Sequence, residues 1–143
     1  MKSQRTFSHK ISADAGLHIS SKVIELCFKK NAAHMGGALS ITDFLSVYYS
    51  FFDDDELTSL FYSKGHACTA LYATLGYFNY FDEKELESYS DNGSIFTSHV
   101  SHHVPGVELS TGSLGHALSV ASGVSYAKKI ADAKHRSYIV LSD

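Results

Sequence analysis

The chain has 143 residues, of which 44% are apolar and 19% charged, enough for one domain around a single hydrophobic core. A formal net charge of −3 gives no electrostatic reason for nucleic acid or an anionic membrane as partner, and no apolar run approaches the roughly 18 residues of a membrane-spanning helix. Residues 1–10 lack the apolar centre of a secretory leader, and Cys27 and Cys68 stand far apart with nothing ligand-like beside them, so the chain reads as cytoplasmic with reduced, buried thiols.

In chain order, Leu17, Ile19, Val23, Ile24, Cys27 and Phe28 recur mostly at three- and four-residue spacing, which predicts an amphipathic helix over 13–30. A small-residue turn with a histidine, Asn31 to Gly37, interrupts it. A second helix is expected over 40–52, capped by Ser40 or Thr42 with Asp43 near its positive end. Residues 53–56 form an acidic turn that lacks the glycine and glutamate of a calcium loop. A short strand over 57–62 leads through Ser63-Lys64-Gly65 into a helix over 66–78. Asp82 and Glu85 have capping-box spacing at the start of a short helix reaching Tyr89. Asp91-Asn92-Gly93-Ser94 reads as a turn, and 95–109, which holds Pro105 (the only proline) and no periodicity, reads as a structured loop. A helix over 115–134 is rich in Ala, Gly and Ser and so can pack closely, and 137–141 has the profile of a buried parallel strand.

Helices alternating with buried strands predict a helix-rich α/β fold with a parallel sheet, organised as one domain over 1–143. Ligands of such sheets bind beyond the carboxyl ends of the strands, and Asp143 follows one of these ends.

Nine histidines stand against 12 lysines and arginines combined, an excess of the residue that handles protons near neutral pH. His34 lies in a glycine-rich turn, and His66 follows a strand end and Gly65 at a helix start, where the helix dipole helps it donate to a phosphate oxygen. Gly112 and Gly115, three apart and leading into a helix, leave main-chain N–H groups open to a ligand, and Gly112 can take backbone angles closed to other residues. By spacing alone, this pattern equally fits a tight turn entering a packed helix. His99, His102 and His103 show His-x-x-His spacing, but with no cysteine or paired carboxylate they make a poor zinc frame.

Three blocks change the reading when taken together. They are His34-Met35-Gly36-Gly37-Ala38-Leu39-Ser40, Ser63-Lys64-Gly65-His66-Ala67, and the run from Pro105 through Glu108-Leu109-Ser110-Thr111-Gly112-Ser113-Leu114-Gly115 to His116. In this order they resemble the N-terminal, thiamine-diphosphate-binding section of transketolases, and the resemblance runs from about Leu17 to Asp143. It implies a three-layer α/β/α diphosphate-binding domain, incomplete at its C-terminal end. It also implies transfer of a two-carbon ketol unit between sugars or sugar phosphates with thiamine diphosphate and Mg2+.

Position by position, the resemblance makes His66 a diphosphate contact and sets Gly112, Ser113 and Leu114 against the cofactor rings. It makes His34 and His99 substrate-channel residues that move protons alongside His66. Asp143 would be a magnesium ligand, with Ser142 standing where the family has glycine. His102 and His103 match no family position and read as local loop residues. His116 and Ala117 replace the family's glutamine and glycine.

A second metal ligand and the glutamate that activates the cofactor would lie in sections not present. A C-terminal transketolase section or a homodimer is therefore the expected partner, and the chain alone should be inactive. The alternatives are a degenerate, non-catalytic fragment or a related enzyme such as a deoxyxylulose-phosphate synthase. The third block argues against the latter.

Overall fold

A computed structural model describes residues 9–52 and 57–142. The acidic turn at 53–56 and Asp143 lie outside the described residues. The elements are α1 (His9–Lys29), α2 (Met35–Leu39), α3 (Thr42–Phe51), β1 (Thr58–Tyr62), α4 (Cys68–Tyr77), α5 (His116–Ile130) and β2 (Arg136–Val140). Two 3₁₀ segments, Gly65–Ala67 and Glu83–Ser88, flank α4.

The two strands pair in parallel, with Leu60 opposite Tyr138 and Tyr62 opposite Val140. Side chains of a strand alternate between faces, and this alternation sorts the core into two parts. Leu60, Tyr62, Tyr138 and Val140 join the large cluster formed with α1, α3 and α4, whereas Phe61 and Ile139 join a smaller one with Ala117 and Ala121 of α5. The sheet thus lies between the helical bundle and α5, an α/β/α layering as the sequence predicts.

Within the bundle, α1 packs on α3 and α4 through Ala15, Ile19, Val23, Leu26 and Cys27. The apolar set read from sequence divides here. Ile19, Val23 and Cys27 are buried, whereas Leu17, Ile24 and Phe28 are exposed, because they lie on a different side of the helix. Every residue of α4 except Tyr77 is buried. In α5 only Ala117 and Ala121 are buried, so the close approach that its small residues permit occurs along one short stripe facing Phe61.

Element boundaries shift in ways with local causes. The predicted turn before the second helix contains the single-turn α2, whose preceding residue, His34, takes a left-handed conformation at φ 68°. Neither Ser40 nor Thr42 caps α3: Ile41 occupies the cap position, while the Ser40 and Thr42 hydroxyls donate back to the Gly37 and Leu39 carbonyls. The Asp82–Glu85 capping box forms as predicted, over a 3₁₀ segment. The strongly curved backbone before α5 is at Gly115 (φ 75°), not at Gly112.

Candidate functional site

The carboxyl ends of the two strands lie side by side, because the Ser63 N–H donates to the Val140 carbonyl at 2.8 Å. The buried Ser63 hydroxyl accepts the Ala117 N–H at 3.2 Å. One residue therefore fastens the end of β1 both to β2 and to the first turn of α5. The chain then passes through Lys64 and a 3₁₀ turn into α4, and the segments carrying the candidate residues gather around this turn.

Gly65 is the point of closest approach. A Cβ placed there would stand 2.8 Å from the Thr111 hydroxyl oxygen, 3.3 Å from the Thr111 carbonyl oxygen and 3.3 Å from the His99 ring. Any side chain at 65 would push the glycine loop away, so the absence of one brings the strand end, the histidine loop and the glycine loop into contact. The Thr111 N–H also donates to the Val100 carbonyl at 3.0 Å, tying the two loops by their backbones.

Gly37 borders the array on the other side, at ordinary contact distance and without the tight fit of Gly65. A Cβ there would meet the His66 ring at 3.4 Å and the Lys64 side chain at 3.8 Å. The rings of His34 and His66 lie with centroids 5.3 Å apart. His34 holds a left-handed backbone that costs a non-glycine residue of order 1–3 kcal/mol, and its side chain makes no capping hydrogen bond.

The structure thus brings His34 beside His66, and His99 beside Gly65 and Thr111. Gly112, Ser113 and Leu114 are exposed, and nothing stands within 4 Å of where a Gly112 side chain would begin, so the main chain there is open to a ligand. The His102 and His103 rings lie close and tilted, with centroids 4.2 Å apart, and bond to Ser110 and Ser101, serving the loop itself. Among the described residues no group of three His, Cys, Asp or Glu side chains could hold a metal.

Several supporting residues escape a reading of motifs. Tyr72 of α4, fully buried, donates its hydroxyl to the His99 carbonyl at 2.8 Å and accepts the Ser101 N–H at 3.1 Å. It clamps the histidine loop from below, and the signal in sequence is only a polar-tipped aromatic within an apolar helix. Lys64 donates to the Ser40 hydroxyl at 2.8 Å, which ties the strand end to α2. Thr111 Oγ1 is buried and finds no hydrogen-bond partner among the described residues.

Thiamine diphosphate suits this arrangement. Bare glycines at 37 and 65 leave the histidines in close array, the main chain at Gly112 is open, and the donors are nitrogen and hydroxyl groups able to meet phosphate oxygens.

Comparison with known proteins points the same way. Residues 23–139 match the family model for the transketolase, thiamine diphosphate binding domain. The chain is 33% identical over 132 residues to a subunit of the apulose-4-phosphate transketolase of Phocaeicola vulgatus, a match covering 85% of this chain and 46% of that protein. It is 31% identical over 134 residues to the 6-deoxy-6-sulfo-D-fructose transketolase subunit SqwG of Clostridium sp., covering 87% and 49%. Against the transketolase of Kluyveromyces lactis it is 39% identical over 67 residues, 46% of this chain and 10% of that one. The chain thus spans about half the length of the curated subunits it matches.

Proposed function

The chain belongs to the transketolase family, and from that premise we propose that it is the diphosphate-binding part of an enzyme moving a two-carbon ketol unit between sugars, completed by a further transketolase section. The observation that carries this reading is the convergence of three distant segments on Gly37 and Gly65. Relatives that are named as subunits of transketolases support an assembly of separate chains, and their named substrates support sugars bearing a phosphate or sulfonate. A cytoplasmic site of action and a paired assembly accompany the proposal.

When bound, thiamine diphosphate supplies the chemistry of breaking and forming the C–C bond beside a ketose carbonyl. This chain's part is to bind, orient and move protons. His66, beside Gly37 and a strand end, holds a diphosphate oxygen. Gly112, Ser113 and Leu114 present open main chain to the cofactor rings. His34 and His99 border this array from two sides and exchange protons with sugar hydroxyls, which imidazole does readily near neutral pH. Asp143, which lies outside the described residues, would supply a carboxylate to a magnesium ion, a ligand type suited to that hard cation.

The test is ketol transfer by the chain co-expressed with the section that carries the remaining half of its relatives. Activity from the pair and none from this chain alone is the expected result. Robust turnover by the 143-residue chain with thiamine diphosphate and magnesium would contradict it.

A further inference from the structure

Lys64 stands inside the array that the sequence motif places around His66, yet the roles above leave it unused. It is half-buried, and its side chain and the His66 ring both lie within 4 Å of where a Gly37 side chain would begin. Its ammonium donates to Ser40 Oγ at 2.8 Å, and that hydroxyl donates in turn to the Gly37 carbonyl at 2.8 Å. Ser40 therefore acts as an acceptor toward the lysine, and the contact fixes the long side chain in one direction.

An ammonium carries three donors, and Ser40 takes one of them. Among the described residues, no carboxylate pairs with Lys64, as none does with the surface residues Lys84, Lys128, Lys129 and Lys134; what sets Lys64 apart is its place beside Gly37 and His66. The two remaining donors are left for an anionic oxygen, the partner an ammonium bonds most strongly. The cation is anchored by Ser40 on the side of Gly37 where the His66 ring lies, with no carboxylate among the described residues against it.

We propose that Lys64 is an anion-binding residue of this site, held by Ser40 so that its ammonium meets a phosphate oxygen. The inference rests on the functional reading above. The shared chemistry is a phosphate group, and it has two sources: the diphosphate of the cofactor and the phosphate of a sugar substrate.

The experiment uses the assembled enzyme as wild type and as Lys64→Met, Lys64→Arg and Ser40→Ala. Calorimetry measures thiamine diphosphate affinity with magnesium, and steady-state kinetics compare a phosphorylated ketose donor with an unphosphorylated one. Loss of a charge-assisted contact in Lys64→Met should weaken one of these about tenfold or more. Lys64→Arg should recover part of the loss, and Ser40→Ala should give a smaller one.

Weakened cofactor binding places the anion on the diphosphate. An unchanged cofactor affinity with a raised KM for the phosphorylated donor alone places it on the sugar. If Lys64→Met and Ser40→Ala lower Tm but leave both quantities unchanged, Lys64 is only a tie between β1 and α2 and the proposal fails. If Lys64→Met does not fold, Lys64→Gln takes its place, and cofactor affinity and donor KM both at wild-type values in it and in Ser40→Ala overturn the proposal. Failure of the wild-type assembly to bind the cofactor overturns the functional reading itself, which separates the two.

Discussion

Gly65 and Thr111 approach so closely that a methyl group on Gly65 would lie 2.8 Å from the Thr111 hydroxyl oxygen. The two residues are distant in the chain, and the contact holds the strand end, the histidine loop and the glycine loop as one unit. The first prediction follows directly. Gly65→Ala must displace the Thr111 backbone as well as its side chain, since the Thr111 carbonyl oxygen is also within 3.3 Å. Overpacking of this kind costs roughly 1–3 kcal/mol, measurable by denaturant unfolding. Cofactor binding should weaken with it, because Gly112 moves with Thr111.

Thr111 itself offers a contrasting case. Its buried hydroxyl has no partner among the described residues, so it carries a desolvation cost without a compensating bond. Thr111→Val keeps the branched shape and removes the oxygen, and it should raise stability by about 1 kcal/mol. Equal or lower stability in thermal unfolding without cofactor would show that the hydroxyl is satisfied.

His34 and His99 are assigned to protons rather than to the diphosphate. Their replacement by alanine in the assembled enzyme should lower kcat/KM for ketol transfer by about 100-fold or more, with cofactor affinity largely kept. His66→Ala should show the reverse emphasis, losing cofactor affinity first. Calorimetry and initial rates on the same preparations separate the two patterns.

The cysteines give a prediction with a pH sign. Cys27 and Cys68 are buried, and burial pushes the Cys68 thiol up to about 11 and the Cys27 thiol upward from its ordinary value. Since the thiolate is the reactive form, neither should react with a thiol reagent at about pH 8 until the protein unfolds. The native thiol keeps its proton above the pH at which the unfolded one releases it. The stability this contributes is therefore fully present below about pH 9 and falls as pH rises toward 11. Tm measured across that range should decline more steeply than in Cys68→Ala.

Much of this arrangement is legible in the sequence, because local chemistry and fold agree there. Strand residues Leu60, Phe61 and Tyr62 alternate between two cores, and Asp82 with Glu85 closes its capping box. The three motif blocks do meet. What sequence could not supply is long-range contact. That Ser63 ties β1 to α5, or that Tyr72 clamps the loop at His99, depends on packing between segments tens of residues apart. The glycine loop shows the limit within one motif: spacing leaves open which glycine takes the unusual backbone, and the left-handed turn falls on Gly115, just before α5. Gly112 is instead left open on the surface. The outer stripe of Leu17, Ile24 and Phe28 shows another limit, since apolar spacing alone cannot say which of two faces a helix will bury.

The central claim is that His66 and the segments around Gly37 and Gly65 form a thiamine diphosphate site. Calorimetric titration of the assembled enzyme with the cofactor and magnesium tests it most directly. The account predicts saturable binding by the wild type, weakened about tenfold or more in His66→Ala, the loss expected for a charge-assisted hydrogen bond. Equal affinity in wild type and His66→Ala, or no binding by the wild-type assembly, would contradict it.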